Sequence, residues 1–345
     1  MGGKATMMQD GDTPRRLFGL QYLRGIAATG VVIFHVSQGA GAPLPFAAYG
    51  VDLFFVLSGF LMVAITAGGA RPWAFFRDRF LRVAPLYWIA TAAVVVVGLL
   101  GLSAQVRLDP ARIAASFAFI PYSAGGGRHT PLPMMPLGWT LNAEMLFYAI
   151  FALLLFLPRY RVLVLTCIIG GLVAAGKLFH PTGAVAIAWT DPILLDFVAG
   201  AWLGVAWVRP EHRRLIVLLL LVALLLWIPR LVWPGMRGGI EGAGATLILM
   251  AVLFFEGRGG GIPEWRPLRL LGDASYSIYL WQIFPLQFCA VVAARLHLPA
   301  AVTAAAGFAL AMGGGILAYL LLERPLLAAL RRVRAPAAVA ISADR

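Results

Sequence analysis

The chain has 345 residues, 61% of them hydrophobic and only 12% charged, with a mean hydropathy of +0.85. No ordinary soluble domain is that apolar. The 28 Lys and Arg against 15 Asp and Glu sit in short clusters between apolar runs, as membrane topology signals do, which excludes a nucleic-acid-binding stripe.

In chain order, the first nineteen residues are polar and carry Lys4, Arg15 and Arg16. No short apolar core with a small-residue cleavage site follows, so no cleaved signal peptide is expected. "MGGKAT" fits the myristoylation pattern formally, but an added lipid contributes little to a chain with many spans. Apolar stretches of bilayer length then recur. They predict ten spans near 18–37, 50–68, 83–102, 138–157, 162–179, 188–207, 215–233, 241–257, 272–294 and 299–322. The longest polar interruption, about 103–137, is rich in Gly and Pro, and its stretch 109–121 predicts a short interfacial helix. "PRLVWPGMRGG" breaks the seventh and eighth spans. Cys167 and Cys289 lie in apolar segments and form no disulfide framework or zinc site, and the scattered histidines lack metal-ligand spacing. There is no internal repeat or linker, so a single transmembrane domain is expected over 18–334, between a cytoplasmic tail at 1–17 and a tail at 335–345.

Assigning alternate loops to one side puts twenty basic residues there and seven opposite, with Arg24 apart at the edge of the first span. The positive-inside rule makes the richer side cytoplasmic. The expected fold is an all-α polytopic membrane protein with both termini in the cytoplasm.

Ionisable groups inside a bilayer are costly and usually functional. Arg24 and His35 are eleven residues apart, close to three full turns, so they project from nearly one helix face about 16 Å apart along the axis. Alone, Arg24 would serve as a snorkelling anchor and His35 as a packing residue between helices. Asp52, Glu144 and Asp196 each enter a span from the outer side and are expected, with His35, in the outer half. Near the cytoplasm, "RDRFLRVAPLYW" sets Arg79 and Arg82 as i,i+3 neighbours, with a local Asp78–Arg82 pair expected. Arginines at the inner mouth suit a phosphate-bearing donor. A histidine beside a carboxylate suits general-base activation of a hydroxyl, or transient acceptance of an acyl group. A long donor with phosphates inside and its reactive end outward fits the 16 Å offset, and coenzyme A thioesters have that shape.

The stretches "LQYLRGIAATGVVIFH", "YGVDLFFVLSGFLM", "FFRDRFLRVAPLYW", "GWTLNAEMLFYAIFAL", "DPILLDFVAGAWLG", "LGDASYSIYLWQ" and "LLERPL" cover nearly the whole chain. In that order they resemble acyltransferase family 3, the integral-membrane acyltransferases, and most of all the short branch that acetylates bacterial exopolysaccharides. The Arg-x10-His pair, Arg24 and His35, is that family's hallmark. The resemblance implies ten core spans, acetyl-CoA as cytoplasmic co-substrate and an exported or lipid-linked polysaccharide as acceptor. It implies His35 as the catalytic histidine with Glu144 as a key acid, and Arg24, Arg79, Arg82 and Tyr276 on the donor side. Asp52, Tyr87, Trp139, Asn142, Asp196, Tyr279 and Gln282 fall in the matching motifs as supporting positions. Many relatives carry a histidine where this chain has Gln282, which can hydrogen-bond but not titrate. No appended extracellular domain is expected, so the spans and loops themselves must engage the polysaccharide.

Several of these residues have plainer roles open to them. Asp52 can cap the second span, Ser58 and Gly59 can permit close helix packing, Trp88 and Trp139 can anchor at the interface, and Tyr276 can belong to an aromatic belt. Glu323 to Pro325 is expected to end a helix with local ion pairs. The competing function class is a proton-coupled transporter or lipid-linked sugar translocase, which intramembrane His and acids also suit.

Overall fold

The computed structural model describes residues 6–7, 15–44, 47, 49–103, 106–123, 131–214, 216–218, 220–222, 225, 240–257 and 261–334. Most of the seventh predicted span, all of "PRLVWPGMRGG" and the C-terminal tail lie outside them. The all-α expectation is qualified by one small ribbon, in which β1 (Thr6–Met7) pairs antiparallel with β2 (Arg15–Arg16). The helices are α1 (Phe18–Gly39), α2 (Gly50–Ile65), α3 (Pro72–Leu99), α4 (Pro110–Phe117), α5 (Trp139–Leu154), α6 (Arg161–Phe179) and α7 (Ala184–Trp189). They continue with α8 (Leu195–Val208), α9 (Ile240–Glu256), α10 (Arg266–Trp281), α11 (Ile283–Leu296), α12 (Ala300–Ala318) and α13 (Arg324–Arg334).

Among the described residues, five helical stretches are long and apolar enough to cross a bilayer: Pro72–Leu99, Pro136–Leu154, Arg161–Phe179, Ala184–Val208 and Ala300–Leu330. A sixth forms if α10 and α11, bent by 54° at their junction, count as one span. That bend corrects the continuous span expected over 272–294. α2 and Gly242–Glu256 are apolar but shorter. α1 has 22 residues, enough for a span by length, but carries Gln21, Arg24 and His35. α3 starts at Pro72, well ahead of residue 83, because Pro at the first helical position is preorganised for a helix and nothing in "WAFFRDRFLR" stops it. Arg77, Asp78, Arg79 and Arg82 therefore ride on a helix. Pro85 lies inside α3 and leaves the carbonyl four residues earlier without its helical donor. The expected short helix in the 103–137 region is α4, capped by Asp109, whose Oδ1 accepts from the Ala111 amide at 3.0 Å.

α2 and α8 pack backbone to backbone. A Cβ added at Gly59 would overlap the Phe197 carbonyl, and one at Gly200 would overlap the Val56 carbonyl. Small residues let membrane helices approach this closely. The plainer reading of Gly59 is thus what the packing uses. Beside the seam, Phe197 stacks on both Phe55 and Phe147 with ring centroids 4.3 Å apart. α1 lies along α10, where Gly272 faces the Gln21 carbonyl with no room for a side chain. After α12 the chain makes a π turn at Tyr319–Glu323 before α13. That extra residue per turn rotates Glu323 into the core, where it is 1% exposed.

Candidate active site

A cavity of about 110 Å³ opens between α1, α2, α3, α5 and α10. Arg24 comes from α1, Ser58 from α2, Arg79 and Arg82 from α3, Glu144 and Tyr148 from α5, and Tyr276 and Tyr279 from α10. Five of the residues singled out in the sequence as donor-side or acidic, namely Arg24, Arg79, Arg82, Glu144 and Tyr276, thus share one cavity.

The arginines are held differently. Arg82 pairs with the buried Glu323, which also accepts from Ser277 Oγ at 2.6 Å. The Arg82 guanidinium lies 5.9 Å from the Tyr276 ring centroid, and the Tyr276 hydroxyl donates to the Val83 carbonyl at 2.8 Å. Asp78 instead meets Arg77 at 3.7 Å, so the expected Asp78–Arg82 pair is replaced by one formed across the fold. The expectation that Glu323 makes only local contacts is corrected with it, because the π turn points its carboxylate inward rather than along the chain. Among the described residues, neither Arg24 nor Arg79 has a carboxylate within salt-bridge distance, and Arg79 Nε is buried without a hydrogen-bond partner.

Glu144 accepts from the Tyr148 hydroxyl and from Ser58 Oγ at 3.3 Å, and lies within electrostatic reach of Arg24 and Arg79. It belongs to the arginine cavity. The expected grouping of Glu144 with His35 is not what the fold brings together, because a helix rise gives depth along α5 but not which neighbour the side chain meets. His35 does not line this cavity. Its Nδ1 bonds the Val31 carbonyl at 2.9 Å, its ring meets Phe34 edge-on at 5.4 Å, and it lies within interaction range of the Gln282 side chain. A carbonyl only accepts, so this bond puts the hydrogen on Nδ1 and leaves Nε2 as the basic nitrogen of the neutral ring.

Gln282 sits at the α10–α11 bend, its Nε2 donating to the Tyr279 carbonyl at 2.8 Å while its Oε1 is buried and, among the described residues, meets no hydrogen-bond donor within the usual distance and angle. Tyr279 donates to the Leu137 carbonyl at 2.8 Å and shares a 2.7 Å bond with Thr140, pinning the start of α5 to α10. Tyr87 is fully buried against Phe119 and Gly138. Asp52 lies in the first turn of α2. Asp196 is buried beneath Gly242 of α9, away from the cavity. Trp139 and Asn142 line a second, smaller cavity. Sequence reasoning missed Tyr148, Ser277 and the long reach of Glu323. A lone carboxylate in the apolar run "YLLLE" was the available signal for the last.

A helical membrane domain with a basic cavity, and a base-competent histidine on the same helix as one of its arginines, has the parts of a group-transfer enzyme. The acyltransferase domain model of family 3 matches residues 17–322. The chain belongs to that family and is an acyltransferase, which sets aside the transporter reading. It is 38% identical over 314 residues to the exopolysaccharide production protein ExoZ of Rhizobium meliloti (strain 1021), covering 88% of this chain and 96% of that protein. It is 26% identical over 309 residues to YrhL of Bacillus subtilis (strain 168), provisionally named a peptidoglycan O-acetyltransferase, covering 77% of this chain and 48% of YrhL. BcsY of Komagataeibacter xylinus, provisionally named a membrane-bound transacylase, is 28% identical over 299 residues, covering 75% of this chain and 70% of BcsY. No solved structure matches the chain.

Proposed function

We propose that the protein is an inner-membrane O-acetyltransferase that moves an acetyl group from cytoplasmic acetyl-CoA to a hydroxyl of an exported or lipid-linked bacterial polysaccharide. The proposed topology has ten spans with both termini in the cytoplasm, which accords with the basic-residue asymmetry. Names of relatives in exopolysaccharide production and O-acetylation support the acceptor class. The observation that carries the donor reading is the pair of guanidiniums, Arg24 and Arg79, facing one cavity without salt-bridge partners among the described residues. Arg24 lies within electrostatic reach of Glu144, Glu323 and Asp273 but in salt-bridge contact with none of them, so both guanidiniums keep donors for a polyanionic guest such as the phosphates of coenzyme A. Arg82, already neutralised by Glu323, and Tyr276 then shape the wall. Glu144, held by Ser58 and Tyr148, keeps the arginines apart and oriented.

From that anchor the pantetheine arm runs along α1, and the helix rise carries the thioester about 16 Å to His35. His35 Nε2 takes the proton of the sugar hydroxyl, whose oxygen attacks the thioester carbonyl. The C–S bond breaks, the acetyl ester forms, and coenzyme A leaves as the thiolate, which regains a proton. Gln282, which does not titrate, steers the imidazole without sharing the proton. A two-step variant through acetylated Nε2 uses the same atoms. Radiolabelled acetyl transfer from acetyl-CoA to host polysaccharide in membrane vesicles tests the proposal. Incorporation in the wild type and loss in His35→Ala is the expected result, whereas equal incorporation in both removes His35 from the chemistry.

A further inference from the structure

The second cavity, about 90 Å³, lies on another side of α5 and is bounded by α7 and by the ends of the loop before α5. Its lining includes Trp139, Asn142 and Asp191, with Pro121, Pro131 and Ala188 among the other residues. Asn142 is only 3% exposed, yet among the described residues neither the nitrogen nor the oxygen of its carboxamide has a hydrogen-bond partner. Leaving one such buried group unpaired costs about 1–3 kcal/mol, and here there are two on one side chain. Asp191 has one oxygen engaged by the Ile193 amide at 2.9 Å, which fixes its carboxylate beside the cavity. Glu144 and Asn142 are two positions apart, about 200° around the helix, so α5 turns one polar group to each cavity.

The geometry points to this cavity as a docking subsite for one sugar unit of the acceptor chain, distinct from the point of acyl transfer. A sugar edge offers adjacent hydroxyls that both donate and accept. An unpaired carboxamide supplies one donor group and one acceptor in a plane, the neighbouring carboxylate accepts, and an indole supplies an apolar face for ring C–H groups. Among the described residues lining it the cavity has no cation, whereas the other cavity has three arginines and so suits the anionic donor better. The inference rests on the proposed polysaccharide acceptor. A chain bound here lies about one helix diameter from the arginine cavity, on the far side of α5, so the acceptor is held apart from the phosphate end of the donor.

Two separate measurements test it on the full-length protein in nanodiscs. The first is direct binding, without any acyl donor, of tritiated oligosaccharides prepared by partial hydrolysis of the host's base-deacylated exopolysaccharide. The second is acetyl transfer from acetyl-CoA to the same oligosaccharides. Asn142→Leu removes the carboxamide at similar volume, and Ala188→Phe fills the cavity from α7. Both are expected to weaken oligosaccharide binding roughly tenfold or more, the scale of one or two lost hydrogen bonds. Ala188→Phe is expected to leave acetyl-CoA affinity unchanged. Wild-type affinity in either well-folded variant overturns the subsite while leaving acetyl transfer intact as a reading. Transfer without measurable binding by the wild type overturns it as well. Binding that depends on Asn142 with no acetyl transfer by the wild type keeps the subsite and rejects acetyl-CoA as the donor.

Discussion

Glu323 reaches back 241 positions in sequence to pair with Arg82, and both are largely buried, with side chains 2% and 16% exposed. Burying one charge without the other is far more costly than burying the pair, so removing the carboxylate alone exposes the full desolvation penalty of the arginine. Glu323→Gln is expected to cost about 3–5 kcal/mol of stability, read as a lower unfolding midpoint of the detergent-solubilised protein. Replacing both partners by apolar residues, Glu323→Leu with Arg82→Met, is expected to recover most of that loss without restoring donor binding.

Among the described residues Arg24 and Arg79 have no salt-bridge partner, and their value lies with the guest. Arg24→Ala or Arg79→Ala is expected to weaken coenzyme A binding by roughly 10–100-fold, in line with the loss of one charge-assisted hydrogen bond. The unfolding midpoint should fall little or rise, since each change removes an uncompensated cation. Equilibrium binding measured at two ionic strengths checks both the loss and a reduced salt dependence. Unchanged affinity in both variants would move the donor elsewhere.

The α2–α8 seam gives a sharper packing test. A methyl at Gly59 or Gly200 meets an opposing backbone carbonyl, which has no rotamer to yield. Each Gly→Ala change is expected to cost about 1–3 kcal/mol or more. Gly170→Ala in the middle of α6, where a Cβ meets nothing within 4 Å, is the control. It is expected to stabilise by up to about 1 kcal/mol through helix propensity. Thermal unfolding of the three single variants separates the two outcomes.

Outside the spans, Asp109 caps α4 and its Oδ2 accepts from the Tyr122 hydroxyl at 2.7 Å. That hydroxyl, with the α4 amides, holds the Asp109 carboxyl below its ordinary value, while the carboxylate pushes the Tyr122 hydroxyl up. A depressed carboxyl pKa favours the folded arrangement above the ordinary Asp pKa, and this contribution fades as pH falls through the lowered value. Carbon-13 titration of Asp109 should show a midpoint below that of a free aspartate, returning toward it in Tyr122→Phe. A midpoint unchanged by the substitution would show that the hydroxyl is not the cause.

Much of this was legible in advance where one helix suffices to state it. The apolar lengths of α6 and α12, the short helix α4 and the shared face of Arg24 and His35 all follow from local periodicity and residue chemistry, whereas the early start of α3 at Pro72 was not foreseen. What failed was azimuth and partnership. Glu144 was expected in the outer half with His35, yet it shares a cavity with the arginines expected at the inner mouth, because its neighbours depend on how α5 leans on α2 and α3. The Arg82–Glu323 pair left no periodic trace, because neither residue's own segment encodes the other. The bend at Gln282 was missed because hydropathy does not register a change in direction, although Pro285, which offers no amide to the Trp281 carbonyl, was a signal for it in "SIYLWQIFPLQF".

The π turn also fixes how the end of the chain tolerates change in length. A π turn closes with one residue more than an α turn. Deleting one residue between Tyr319 and Leu322 would let it relax to a regular helix with Glu323 and α13 close to their present azimuth, so the inner link to Arg82 and Ser277 would survive. The same deletion after Arg324, where the helix is already regular, would turn the rest of α13 by about 100°. The π turn is therefore a slack link, able to give up a residue that the helix after it has no means to spare.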